Sequence, residues 1–161
     1  MHTPLYTPLE NPPFNMARYC LAAAAAATPE KPALIVIDGA DAARPSEVWT
    51  YAGLEDAVLR TAGALRALGL AEGDRVMIRL DNTSAYAILF FGAIAAGLVA
   101  LPASSQLTDR EALFLLEDSG AAAIASVSPF HKGEGRAPLV LSPDDVARMM
   151  REGPRMDYAP T

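Results

Sequence analysis

Between Asp81 and Asp109 the chain carries no charged residue. A stretch this long and this apolar leaves water either for a bilayer or for the middle of a protein. A membrane-spanning helix needs about 20 consecutive apolar residues, and here Gly92, Gly97 and Pro102 interrupt the run. The stretch therefore resolves into shorter pieces. Residues 75–80 (RVMIRL) read as a strand, AYAILFFGAIAAG as a helix of about four turns, and LVALP as a second strand. Asn82, Thr83 and Ser84 each offer an oxygen to cap the helix start. Gly97 tolerates the left-handed backbone that ends helices. A helix apolar on every side must be covered on every side. This strand–helix–strand unit therefore belongs at the centre of a larger body.

A chain of 161 residues, 52% of them apolar, is long enough for a real core. It is one domain or one piece of a larger one. The net charge of −6 runs against nucleic-acid binding, whose footprint is basic. Cys20 is the only cysteine, so no intrachain disulfide can form; within an alanine-rich stretch it reads as a small buried apolar residue. The first twelve residues hold Pro4, Pro8 and Pro12 and no Lys or Arg, unlike a signal peptide. A cytoplasmic protein is expected, with no membrane partner.

Along the chain, residues 1–14 read as a proline-rich arm and residues 15–27, with six successive alanines, as a helix. Residues 33–38 and 47–50 read as strands forming a hairpin. Residues 51–68 form the clearest helix, with Leu54, Val58, Leu65 and Leu68 on one apolar face, Thr50 as its cap, and Gly69 and Leu70 turning back at its end. Thr108 and Glu111 have capping-box spacing at the start of a helix that runs to Ser119 and stops at Gly120. Residues 121–127 read as a strand, 129–136 as a mobile loop and 138–141 as a short extended piece. Ser142 opens a last helix, and residues 155–161 read as an unstructured tail. Strands alternating with helices predict an α/β fold: a mostly parallel sheet flanked by helices on both faces, with one face short of cover.

Chemistry is scarce. The G-x-G-x-x-G and Walker patterns are absent, and Gly133-Glu134-Gly135 is only a fragment of the former. His2 and His131 are the only histidines, both in predicted loops, too few for a metal site. Asp144 and Asp145 are explained as favourable charge at a helix start. Ser104 and Ser105 follow the end of a strand, the edge where open parallel sheets place ligands. Tyr86, Phe90 and Phe91 read as core rather than as a cofactor pocket. No catalytic or metal-ligating residue is assigned, and cofactor-binding residues stay open.

The order of segments is itself informative. Trp49-Thr50-Tyr51-Ala52-Gly53-Leu54, Ala64-Leu65-Arg66-Ala67-Leu68-Gly69-Leu70 and Gly73-Asp74-Arg75-Val76 are followed by Asn82, Phe90-Phe91-Gly92-Ala93, Ala96-Gly97 and Leu101-Pro102. Leu107-Thr108 and Leu116-Glu117-Asp118-Ser119-Gly120-Ala121 close the series. In collinear order, over residues 31–127, these resemble the adenylate-forming (AMP-binding) acid–CoA ligases. The chain departs from the usual pattern at Asp81, where relatives have Pro, and at Ala95, where they have Lys or Arg. It departs again at Ser104-Ser105-Gln106-Leu107, where they have Asn-Pro-Arg-Leu.

The resemblance implies the N-terminal subdomain of the acyl-CoA synthetase-like fold. Residues 15–153 would be that subdomain, and residues 154–161 a tail toward a phosphate-binding loop further on. The parent would use ATP, Mg²⁺ and CoA, first forming an acyl-adenylate and then a thioester. The segment itself would hold no cofactor, would be inactive alone, and would have the remainder of the ligase, or a second copy of itself, as its partner. The alternative is a complete non-catalytic α/β module that binds a partner or a small ligand.

Overall fold

The computed structural model describes residues 14–39, 44–128 and 138–160. The predicted arm up to residue 13 and the predicted loop at 129–136 lie outside them. Among the described residues the elements run α1 (Met16–Ala27), β1 (Pro32–Val36), β2 (Glu47–Thr50), α2 (Tyr51–Ala67), β3 (Arg75–Arg79) and α3 (Ser84–Ala95). They continue with β4 (Val99–Pro102), α4 (Asp109–Ser119), β5 (Ala123–Ser126), β6 (Leu139–Leu141) and α5 (Pro143–Glu152). β1 and β2 pair antiparallel as a separate ribbon, with Ile35 opposite Val48. The main sheet is parallel, in the order β4-β3-β5-β6.

That order places the helices. From β3 the chain steps one way to β4, then back past β3 to β5. Right-handed crossovers turn those opposite steps into helices on opposite faces. α3 therefore packs with α1, α2 and α5 on one side, over Val76, Ile78, Ala123, Ala125 and Leu141. α4 covers the other side through Ala112 and Leu116, over Met77 and Ile124. The alternation of side chains along each strand sorts these residues between the two faces. Cover is unequal, as the sequence led us to expect: on the α4 side Val99 is 48% exposed and Val140 43%, and Phe114 of α4 is 65% exposed.

α3 is the helix that the uncharged run predicts, and no residue from Ser84 to Ala95 is exposed. Gly92 permits its close crossing with α2, since a Cβ there would lie 2.8 Å from the Thr61 methyl. Gly97 ends the helix at φ 75°. The expected side-chain cap at its start is not made. Ser84 instead donates to Glu47 Oε2 (2.6 Å), which also accepts from Trp49 Nε1 (2.7 Å), tying α3 to β2. Thr83, the residue at the cap position, turns its hydroxyl to Asp81 O, two residues back, so no side chain caps the helix.

Three further readings need correction. Leu68 is 47% exposed rather than on the buried face, because α2 stops at Ala67 and Leu68 is already its cap. Leu70 supplies the missing contact: it is buried, and its amide bonds to Leu65 O. Cys20 is exposed, since α1 buries Ala17, Leu21 and Ala25, and position 20 lies off that stripe. Residues 155–160 are not a free tail. They run as an extended strap across α2 and α3, with the Met156 amide on Leu59 O (3.3 Å) and the Ala159 amide on Ala95 O (2.7 Å). Gly63 makes the approach possible, because a Cβ there would lie 1.8 Å from Pro154 O.

A candidate site at the carboxyl edge of the sheet

β3 and β4 are neighbours whose following segments leave in opposite directions, to α3 on one face and toward α4 on the other. Where such segments part, an open parallel sheet leaves a crevice beyond the strand ends, the usual ligand position in this architecture. The crevice is present. About 500 Å³ in volume, it is lined by Leu80 and Asn82 after β3, Pro102, Ala103, Ser104 and Ser105 after β4, and Tyr86 on the first turn of α3. Asn82 and Ser104 are exposed; Tyr86 and Ser105 are half-buried. Ser104 Oγ accepts the Gln106 amide (3.2 Å), which bends the wall of the crevice.

Of the residues singled out from sequence, Ser104, Ser105 and Tyr86 meet here. Phe90 and Phe91 do not; they pack edge to face (5.4 Å) against the core. Asp145 caps α5 with Ser142, as its position implies. His2, His131 and the Gly133-Glu134-Gly135 fragment lie outside the described residues. Among the described residues no helix is long and apolar enough to cross a membrane, and no cluster of three His, Cys, Asp or Glu is placed to hold a metal.

Sequence reasoning missed Arg79. It ends β3 on the α4 face and is 5% exposed. Its guanidinium bonds to Asp109 Oδ1 (3.0 Å), to Ser126 and Ser128 Oγ (3.4 Å each) and to Leu107 O, while its buried Nε–H has no acceptor. Arg79 thus clamps the start of α4, and with it the segment forming the crevice wall, to the sheet. The available signal was a charge directly after Val76–Ile78, a strand interior apolar on both faces. The clamp uses up this cation, and none of the described residues lining the crevice is cationic.

A parallel sheet covered on both faces, with a crevice at its carboxyl edge whose described lining is uncharged, is the architecture of an α/β class in which ligands sit beyond the strand ends. Comparison with known proteins narrows that class. The family model for the AMP-binding enzyme matches residues 21–153, and the chain belongs to that family. It is 39% identical over 80 residues to the long-chain-fatty-acid–CoA ligase FadD13 of Mycobacterium tuberculosis, a match spanning 50% of this chain and 16% of the ligase. It is 36% identical over 86 residues to the 4-hydroxybenzoate–CoA/benzoate–CoA ligase of Rhodopseudomonas palustris, spanning 53% of this chain and 16% of that one. The fold matches the solved N-terminal domain of FACL13 from Mycobacterium tuberculosis with a TM-score of 0.75 at 28% identity, over 91% of this chain and 38% of that one. The chain thus corresponds to the N-terminal part of such ligases, and the matched stretch spans about a sixth of the length of these two curated relatives.

Proposed function

We propose that the chain is the N-terminal subdomain of an adenylate-forming acid–CoA ligase and catalyses neither half-reaction alone. The observation that carries this is the family match over residues 21–153, on a body whose crevice has no cation among its described lining residues. In the whole enzyme a carboxylate oxygen would attack the α-phosphorus of ATP, releasing pyrophosphate and leaving an acyl-adenylate. The CoA thiol would then displace AMP. Both steps develop negative charge that needs cations, Mg²⁺ or convergent amides. The crevice offers an amide, hydroxyls and a phenol, which can position a ligand but do not neutralise a triphosphate. ATP, Mg²⁺ and CoA are therefore assigned to the whole ligase.

In this reading residues 15–153 are the body, residues 1–14 an arm, and residues 154–161 the connection toward the phosphate-gripping loop. Exposed Val99, Val140 and Phe114 support an association with the remainder of the ligase, or with a second copy in its absence. The location proposed is cytoplasmic. The test is AMP release from ATP, Mg²⁺, CoA and a panel of acids. The 161-residue chain is expected to give none. Robust turnover would overturn the reading, as would a reading frame past Thr161 without a Ser/Thr/Gly-rich, Lys-containing loop.

A further inference from the structure

We propose that Asn15 is a latch: its carboxamide fixes the path of residues 155–160 across the body and so positions the polypeptide that continues from them. Asn15 caps α1 through Oδ1, which accepts the Arg18 amide (3.2 Å). Serine, threonine or aspartate would serve that purpose as well. The residue is nevertheless 7% exposed, and its Nδ2 does something those residues cannot. It donates to Ile94 O and to Ala159 O, each at 3.0 Å. Those carbonyls belong to the last turn of α3 and to the strap, 79 and 144 positions further along the chain. A carboxamide brings two neutral donors and an acceptor in one plane, so one side chain joins three segments.

Near Pro154 the strap is held by the Met156 amide on Leu59 O and by packing of Met156 and Tyr158 on the core, so the latch matters most at its far end. Arg155, Asp157 and Pro160 are exposed, and Met156, Tyr158 and Ala159 are only half-buried. The Arg155–Asp56 ion pair (3.2 Å) lies at the surface, where such pairs contribute little. At mid-strap, Tyr158 donates to Glu55 Oε1 (2.8 Å); burial first, then that bond, holds its phenol well above the usual tyrosine range. At the far end, among the described residues, Ala159 is held by its carbonyl on Asn15 and its amide on Ala95 O. The functional half of this inference rests on the ligase reading. There the segment after Thr161 handles the nucleotide, and misplacing its starting point by about 1 Å is enough to impair positioning.

Asn15→Ser isolates the latch, since it keeps a capping oxygen and removes both donors. Hydrogen exchange on the 161-residue chain should show Ala159 exchanging at least about tenfold faster, with Ile78 and Leu89 unchanged. Unchanged exchange at Ala159, or equal acceleration at Ile78 and Leu89, overturns the latch. If the variant does not fold, the unmutated protein still decides: the Asn15 side-chain amide hydrogens should be protected, and free exchange of them overturns the proposal. In the longer ligase, Asn15→Ser should raise KM for ATP several-fold more than KM for the acid. An unchanged ratio rejects the positioning role. No adenylate from the unmutated ligase rejects the ligase reading instead, and the exchange data then judge the latch separately.

Discussion

Arg79 shows how one side chain decides local geometry that its neighbours in sequence do not reveal. A guanidinium presents donors in a fixed fork, and here the fork spans a carboxylate, two hydroxyls and a carbonyl on different segments. Arg79→Ala removes those bonds and leaves a void, so unfolding should cost about 2–3 kcal/mol less, read from the urea midpoint at constant slope. Arg79→Lys should recover little of the loss, because one ammonium cannot span the fork. Equal stability of Arg79→Ala and the parent would show that the clamp is idle. Gly63 carries the opposite constraint. Gly63→Ala drives a Cβ into Pro154 O, so it should destabilise by about 1–3 kcal/mol and speed proteolysis after Arg155. Unchanged cleavage would mean that the strap does not need this close approach.

Among the elements, α4 and α5 carry complete capping boxes, Thr108 with Glu111 and Ser142 with Asp145. The first was read from spacing alone, because its bonds join residues three apart; for the second only Ser142 as the helix start and Asp145 as favourable charge were read. Hydrogen bonds from the Thr108 amide and hydroxyl lower the pKa of Glu111, and the Ser142 hydroxyl and amide lower that of Asp145. A carboxylate with a depressed folded pKa stabilises the fold above its unfolded value and loses that contribution as pH falls through the folded one. Ser142→Ala should therefore cost about 1 kcal/mol at neutral pH. The cost should shrink in acid, measured by denaturant melts across the carboxylate range. Thr108→Ala should follow the same trend, and a penalty that grows in acid would contradict this account. α3 behaves differently. Its start, existence and end were legible from Thr83, composition and Gly97, but the absence of a side-chain cap and the bond from Ser84 to Glu47, 37 positions earlier in the chain, were not.

For the whole molecule, the unequal cover of the sheet sets the expectation. One helix is about 10 Å across and four strands about 19 Å, so α4 leaves Val99 and Val140 open on strands at either edge. The chain alone is expected to self-associate in sedimentation as concentration rises, and Val99→Lys with Val140→Lys to reduce it. A monomer at high concentration that binds no apolar dye would count against an interface on this face. The same surface should be protected in the longer ligase.

Sequence by itself determined the α/β class, most element positions and the family, because these follow from short-range periodicity, helix-stop glycines and a collinear series of segments. It also located Ser104 and Ser105 at a strand end. Only the tertiary structure decided that Tyr86 joins them while Phe90 and Phe91 do not, that Arg79 is buried and used, and that residues 155–160 are tied down through Asn15. Each of those depends on bonds or packing between residues tens of positions apart, and local pattern carries no record of which distant partner a side chain will meet.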